Sequence, residues 1–571
     1  MTDVTVPKFD KQKYHRHLRG WFSYAFASEV FVIVSLTLFL PICLEQFARD
    51  NGYLLPDKTQ PCSSAVISPA TNGSEGDARC VVKLGWLWID SASFSLYVYS
   101  MSVALQALTV ISMGGIADHP PHRKLLLLTF AALGSFSAIL FLLLPSSSPL
   151  WPLVAPLAIF ANVGFGASIV ALNAYIPTLA HSSQEVVAAR AKLVQLQHAN
   201  PLPPAYEHTD DATEADAPLL GRPETHESDP AVIAAKEKHD KLLSATTSRI
   251  SSQGIALGYA AGIVMLLLAL IPVRAMKGST DALRLAIGLS GIWWALFSLP
   301  AAAWLPGASA MTHAGAVAVE EGEVPVSREP EADWSMAREI VRAWKRLGQM
   351  LRWREIKRLR NTFVYLAAWF LLSDGFTTIT STALLFAKTT LHMPASSLII
   401  IGALTPTAGI IGSLAWPAIQ RRLGWSNLRV LVVLVVMASA IPAYGCLGFL
   451  PVFQRSSVKF GGLTTPGEMY VLAVYFGSVY GAFQGYARAF YAEFIPPGEE
   501  ARWYGLFSIT DKSSSFVGPL IVGIIADTTG NIRYAFFFLI VMIWSAVPIL
   551  MAVDVERGRD DAQRYTARGL R

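Results

Sequence analysis

The chain has 571 residues, 53% hydrophobic and only 15% charged, with a mean hydropathy of +0.42. A soluble globular domain carries about 25% charged residues, so this composition excludes that class and points to a membrane protein. The net charge of +5 comes from basic residues gathered at the ends of apolar segments. That suits basic cytosolic loops rather than a nucleic-acid surface, and no nucleic-acid partner is expected.

Residues 1–19 form a basic lead ending in KQKYHRHLR, expected in the cytosol. The first apolar stretch, 20–44, is too long for a signal-peptide core and reads as a retained anchor. It carries Glu29 inside the span, and an ionisable group at that depth is a functional hypothesis by default. Residues 45–85 form a polar loop on the far side, with Cys62, Cys80 and the glycosylation sequon at Asn72. Two cysteines in a non-cytosolic loop are expected to pair, and the sequon requires the same sidedness. Span two, 86–113, holds Asp90 and a run of Ser and Tyr on several faces, then ends in GGIADHPPHRK. In that turn Gly114 and Gly115 allow close helix approach, Asp118 can accept from a helix N-terminus, and Arg123 and Lys124 anchor the cytosolic side.

Spans three and four are read at 124–144 and 151–176. A cytosolic insert follows at 177–250, its centre rich in Pro, Ala, Glu and Asp and expected to be mostly disordered. Within it PPAY (Pro203, Pro204, Tyr206) fits a WW-domain ligand of the kind read by ubiquitin ligases, and DAPLL at 216–220 has the shape of an acidic dileucine signal. Span five opens with Gly254, Gly258 and Gly262 at every fourth residue, a spacing for tight helix packing. Span six is read at 283–305, closing an N-terminal six-helix bundle over 20–305.

Residues 306–361 link the halves and contain REIVRAWKRLGQMLRWREIKRLR, nine Lys/Arg against two acids. This run fixes the direction of span seven, 362–388, by the positive-inside rule. Asp374, Thr377, Thr378 and Ser381 put one polar face on that helix. Spans eight and nine are read at 396–420 and 430–450. Span ten, 468–494, holds Gln484, Arg488 and Tyr491; span eleven, from 503, holds Ser508, Asp511, Lys512 and Ser515 on one face; span twelve is read at 534–555. The C-terminal bundle thus covers 362–555, and the tail, 556–571, joins the N-terminus in the cytosol. The fold class is all-α membrane, twelve spans in two pseudo-symmetric six-helix bundles.

Several of these stretches together resemble one family. GWFSYAFASEVF (20–31), SSQGIALGY (251–259), AWFLLSDGFTTI (368–379) and FQGYARAFYAEFIPPGEEARWYGLFSITDKSSSFVGP (483–519) are similar to the autophagy-related protein 22 family, fungal vacuolar amino-acid effluxers within the major facilitator superfamily. The turn at 114–124 resembles the signature loop of that superfamily, with the residues at 119–122 departing from it, and implies a gating role. The resemblance covers the spans but not the two inserts or the far-side loop. It implies a multi-pass transporter of the vacuole membrane that releases neutral, leucine-like amino acids to the cytosol during autophagic recycling and works as a monomer.

Carriers of this kind place their site at the midplane between two bundles. A zwitterionic amino acid needs a cation for its carboxylate, expected from Arg488 or Lys512, and an anion for its ammonium, expected from Asp374 or Glu29. Thr377, Thr378, Gln484 and Asp511 complete the expected polar lining, and Tyr491 the side-chain pocket. Ion pairing of Lys512 with Asp511 merely to neutralise buried charge stands beside this reading. Asp374 or Glu29 could also carry a proton, and diffusion without one stays open. The alternatives are a scaffold recruiting autophagy or ubiquitin machinery through the inserts, and a carrier of another amphipathic solute. No nucleophile–base arrangement, metal-ligand cluster or phosphate-cradling loop is present, so neither an enzyme nor a cofactor is expected. Arg488→Lys should change the uptake profile, since bidentate carboxylate binding is specific to Arg; an unchanged profile would remove Arg488 from the site.

Overall fold

The structure is a computed structural model that describes residues 9–56, 58–62, 79–117, 120–199, 230–307, 335–450, 453, 460–496 and 500–569. Asn72, Asp118, the PPAY string with Pro203, Pro204 and Tyr206, and the dileucine string lie outside the described residues. Eleven helices among those described are long and apolar enough to cross a membrane.

The first helix, α1 (Lys11–Asp50), is 40 residues long and overruns the predicted span at both ends. A helix satisfies its own backbone, so nothing forces it to stop where the hydrocarbon stops. Asp10 caps its start by accepting from the Lys13 N–H at 3.0 Å. Its middle, Phe31–Phe39, is wound as a π-helix, a wide turn that tends to accompany functional sites.

The described residues after α1 include a small antiparallel sheet of β1 (Tyr53–Leu54), β2 (Cys80–Leu84) and β3 (Leu87–Asp90), in that order. Gly85, at φ +60°, makes the tight turn between β2 and β3. A disulfide joins Cys62 to Cys80, their Cα atoms 5.9 Å apart. β3 runs straight into α2 (Ser91–Ala117), so span two begins later than predicted, because 87–90 pair as a strand.

The rest of the N-terminal bundle is α3 (Pro120–Leu140), α4 (Val154–Asn173), α6 (Pro230–Ala275) and α7 (Thr280–Trp304). The insert is helical on both flanks, with α5 (Gln184–Ala199) packed against the start of α6. At 1.5 Å per residue the 46 residues of α6 reach about 69 Å, over twice the ~30 Å hydrocarbon core, so its polar first half projects beyond the bundle. The glycine stripe lies against α1. A Cβ at Gly254 would stand 2.4 Å from the Trp21 ring, at Gly258 2.4 Å from Glu29 Cγ, and at Gly262 2.5 Å from Ile33 Cδ1.

The linker forms α8 (Met336–Met350) and α9 (Trp353–Arg358) and leads into the C-terminal bundle. That bundle comprises α10 (Arg360–Thr389), α11 (Ala395–Leu423), α12 (Asn427–Leu447), α13 (Pro466–Ala492), α14 (Glu500–Ser514), α15 (Val517–Thr529) and α16 (Ala535–Met551), followed by α17 (Val555–Gly569). α14 and α15 are one span broken at residues 515–516. α13 is 27 residues long and less apolar than the eleven, yet it runs from one face of the bundle to the other. Its first turn, at Glu468, accepts from Tyr444 and Gly461. Just past its far end Glu493 accepts from Asn427 and Arg559.

The start of α1 and the start of α17 lie on one face, which we call the terminal face. Arg16 reaches the Ala303 carbonyl, and Asp554 N–H reaches Asn361 at the start of α10. The sheet lies on the opposite, hairpin face. Gly262→Val should cost about 1–3 kcal/mol by overpacking and lower the thermal midpoint of the purified protein. Gly348→Ala, in open space, should not. Equal midpoints would show that α1 and α6 are not in contact at Ile33.

Candidate functional site

The broken span is the centre of the site. A break exposes backbone N–H groups that water cannot reach inside a bilayer, and they need partners. The N–H of Gly518, at the start of α15, is bound by both oxygens of Asp374 on α10, at 3.0 and 2.8 Å. Thr378 adds its hydroxyl to Oδ1 at 3.3 Å. Asp374 is 2% exposed, so the carboxylate serves as the cap of a half-helix and sits where a helix N-terminus favours an anion. Gly518 is small for that reason: a Cβ there would stand 2.0 Å from Thr378 Oγ1 and 2.8 Å from Asp374 Oδ1.

One turn before the break α14 presents Asp511 and Lys512. Asp511 accepts from Ser373 of α10 and pairs with Lys512 at 3.7 Å. Lys512 lies in electrostatic reach of Glu29 on α1, across the gap between bundles. Tyr259 of α6 is in reach of both Glu29 and Arg488, and Tyr99 of α2 of both Asp374 and Asp511. Gln484 donates to the Tyr480 hydroxyl at 2.9 Å on α13, and Tyr480 is in reach of Asp511, Tyr259 and Tyr99. Glu29 of α1, Arg488 of α13 and the Asp511–Lys512 pair of α14 therefore gather from three helices around one space, with Tyr99, Tyr259 and Tyr480 between them.

Not every expected residue joins them. Tyr491 is fully buried inside the C-terminal bundle, donating to the Trp503 carbonyl at 2.9 Å and stacked on Phe507 and Tyr365; it packs the bundle rather than the space between bundles. Thr378 is turned to Asp374, and Thr377 is half-buried. Gly114 and Gly115 lie in the last turns of α2. Arg123 reaches Thr178 at 3.3 Å and covers the Tyr175 ring, and Lys124 donates to the Leu305 carbonyl at 2.9 Å. Both tie α3 to other N-terminal helices at the terminal face.

The bundles are joined along the hairpin half by α2 and α15. Asp90, Ser93, Tyr97 and Ser100 recur at helical spacing and face α15. Asp90 N–H donates to Asp527 at 2.9 Å, Ser93 to the Gly523 carbonyl at 2.9 Å, and Ser100 to the Phe516 carbonyl at 2.7 Å; Tyr97 lies against Gly523. Arg79, beside the disulfide, donates to Asp90 at 3.1 Å and to the Ala526 and Asp527 carbonyls, and pairs with the Asp527 carboxylate at 3.6 Å. Burial pushes the Asp90 carboxyl above the usual carboxylate range, and the Arg79 hydrogen bond is the first influence opposing it. A second link on this face brings Lys388 of α10 within reach of the fully buried Glu45 of α1. Sequence reasoning missed Arg79, Asp527, Glu45 and Lys388. The run of Ser and Tyr in span two was the one visible signal for the α2 seam.

Asp374→Ala should destabilise the protein by about 1–3 kcal/mol through the orphaned N–H, visible as a lower thermal midpoint. An unchanged midpoint with transport lost would return Asp374 to the substrate path.

Residues 13–563 match the family described as "Vacuole effluxer Atg22 like". The chain is 42% identical over 583 residues to autophagy-related protein 22 of Cryptococcus neoformans var. neoformans serotype D, covering 97% of each. It is 38% identical over 593 residues to autophagy-related protein 22-1 of Neosartorya fischeri, covering 97% of this chain and 92% of that one. In fold it is similar to a D-xylose-proton symporter, with a TM-score of 0.51 at 12% identity over 96% and 99% of the two chains. It is likewise similar to the xylose transporter XylE of E. coli, with a TM-score of 0.50 at 11% identity over 95% of each. The chain belongs to the Atg22-like vacuole effluxer family and is a multi-pass membrane transporter of major facilitator architecture, not an enzyme.

Proposed function

We propose that the protein exports neutral, leucine-like amino acids from the vacuole lumen to the cytosol by alternating access. The observation that carries this reading is the meeting of Glu29, Arg488, Asp511 and Lys512 between the bundles. A zwitterion has two opposite charges a few ångströms apart and needs both signs in one site. Arg488, exposed and near Tyr259, takes the carboxylate. Glu29 takes the ammonium, with Lys512 shared between Asp511 and Glu29. We count α13 as the twelfth span, place the hairpin face in the lumen, and place both termini in the cytosol. The basic run at 338–360 and the disulfide support that sidedness.

Any proton that accompanies the substrate is assigned to Glu29 rather than Asp374, since both Asp374 oxygens are committed to Gly518. Glu29 is packed against Gly258 and ends in the space between bundles. In vacuoles preloaded with labelled amino acids, leucine-like solutes should leave faster when the protein is present. Glu29→Gln should abolish dependence on the pH gradient while the protein still folds. If no solute moves from vacuoles holding the folded protein, the scaffold reading takes its place.

The α2–α15 seam and Arg79 close the luminal side, so substrate entry requires this latch to part. Arg79→Ala removes the partner of the half-buried Asp90 carboxylate, worth about 1.5–3 kcal/mol for a hydrogen bond to a charged group, a shift of more than tenfold toward luminal opening. A cysteine at Ser93 should then react faster with a membrane-impermeant reagent from the luminal side. No change in labelling would exclude Arg79 as part of the gate.

A further inference from the structure

The linker between the bundles is more than a tether. In α8 one face packs inward through Glu339, Ile340, Leu347 and Met350. The outer surface of α8 and α9 leaves Val341 65% and Trp353 69% exposed, with Trp344 and Leu351 also exposed. Around them stand the exposed cations Lys345, Arg352, Arg354 and Lys357. Both acids of the run are already engaged, Glu339 with Arg342 at 2.6 Å and Glu355 with Arg358 at 3.0 Å. The outward surface therefore combines cations with large apolar groups.

Its place in the molecule decides what meets it. On α2, Met101, Leu105 and Leu108 form an exposed apolar stripe, the flank that faces hydrocarbon. Ser112 is the next residue of that stripe, one turn nearer the terminal face. It accepts a hydrogen bond from Trp344 Nε1 at 3.1 Å. α8 thus packs where the lipid-facing stripe ends, at headgroup level, and α9 stops just before α10 enters the membrane at Arg360. Water alone would leave four large apolar side chains uncovered. The border between hydrocarbon and phosphate accommodates them together with the cations, as it does for basic interfacial helices.

We propose that residues 336–358 form a binding surface for anionic phospholipid headgroups in the leaflet at the terminal face. Val341, Trp344, Leu351 and Trp353 enter the acyl border, and Lys345, Arg352, Arg354 and Lys357 meet the phosphates. This segment is the covalent link between the bundles, so lipid held here fixes the linker to α2 and to the membrane plane. The inference does not depend on which solute the carrier moves.

The test uses the full chain in nanodiscs. Gly348 faces open space, so Gly348→Cys in a Cys446→Ser background gives one accessible thiol, Cys43 being buried. A bimane label there is quenched by brominated lipid within contact distance. Brominated phosphatidylserine should quench at least about threefold more than the same mole fraction of brominated phosphatidylcholine. The difference should vanish when Lys345→Gln, Arg352→Gln and Arg354→Gln are combined. Equal quenching by both lipids in the parent protein would mean apolar anchoring without charge recognition and would overturn the proposal. Quenching by neither would place the face away from the bilayer, open to a protein partner or a second copy, and would overturn it too.

Discussion

The Asp374–Gly518 contact is the interaction on which the rest of the site depends. A transmembrane helix can break only where its freed backbone groups find partners, and here one carboxylate from another helix supplies the partner. At the break the Phe516 carbonyl accepts both the Leu520 N–H of its own half-helix at 3.3 Å and the Ser100 hydroxyl of the opposite bundle at 2.7 Å. The break also sets the rotation of α14, so that Asp511 and Lys512 face Tyr99 and Glu29. One buried carboxyl group thus links the half-helix, the contact between bundles and the charged pair beside it.

The two halves of the interface differ in chemistry. Along the hairpin half, Ser93 and Arg79 bind backbone carbonyls of α15 and Ser100 binds the Phe516 carbonyl at the break, and hydrogen bonds of this kind can part and re-form. Beside it, between the bundles, charges of both signs sit around a space lined by tyrosines. The proposed alternating access would use this division, with replaceable hydrogen bonds along one half and charge between the bundles. The α1–α6 contact is of another kind, because three glycines bring the two helices into close packing along Trp21, Glu29 and Ile33.

Much of the candidate site was legible before any coordinates. Glu29, Asp374, Arg488, Asp511 and Lys512 stood out because ionisable groups inside apolar runs are rare and costly. The glycine spacing in span five announced close packing, and Cys62 and Cys80 are joined by a disulfide. What could not be read was which partner each group faces. Asp374 looked like a substrate anion and is a helix cap. Tyr491 looked like pocket lining and stacks inside its own bundle. Arg79 carried no signal at all, since a lone arginine in a polar loop is ordinary until α15, more than 400 residues later in the chain, comes to lie beside it.

The sequence by itself determined the membrane class, the position of nearly every span and the family, because hydropathy, flanking charge and motif are local properties of the chain. Tertiary structure alone decided the break at 515–516, the cap that permits it, the seam between α2 and α15, and which charged groups share one space. The physical reason is that those features depend on how each helix is rotated and packed. Rotation and packing follow from contacts with helices far away in the chain, which no stretch of sequence contains.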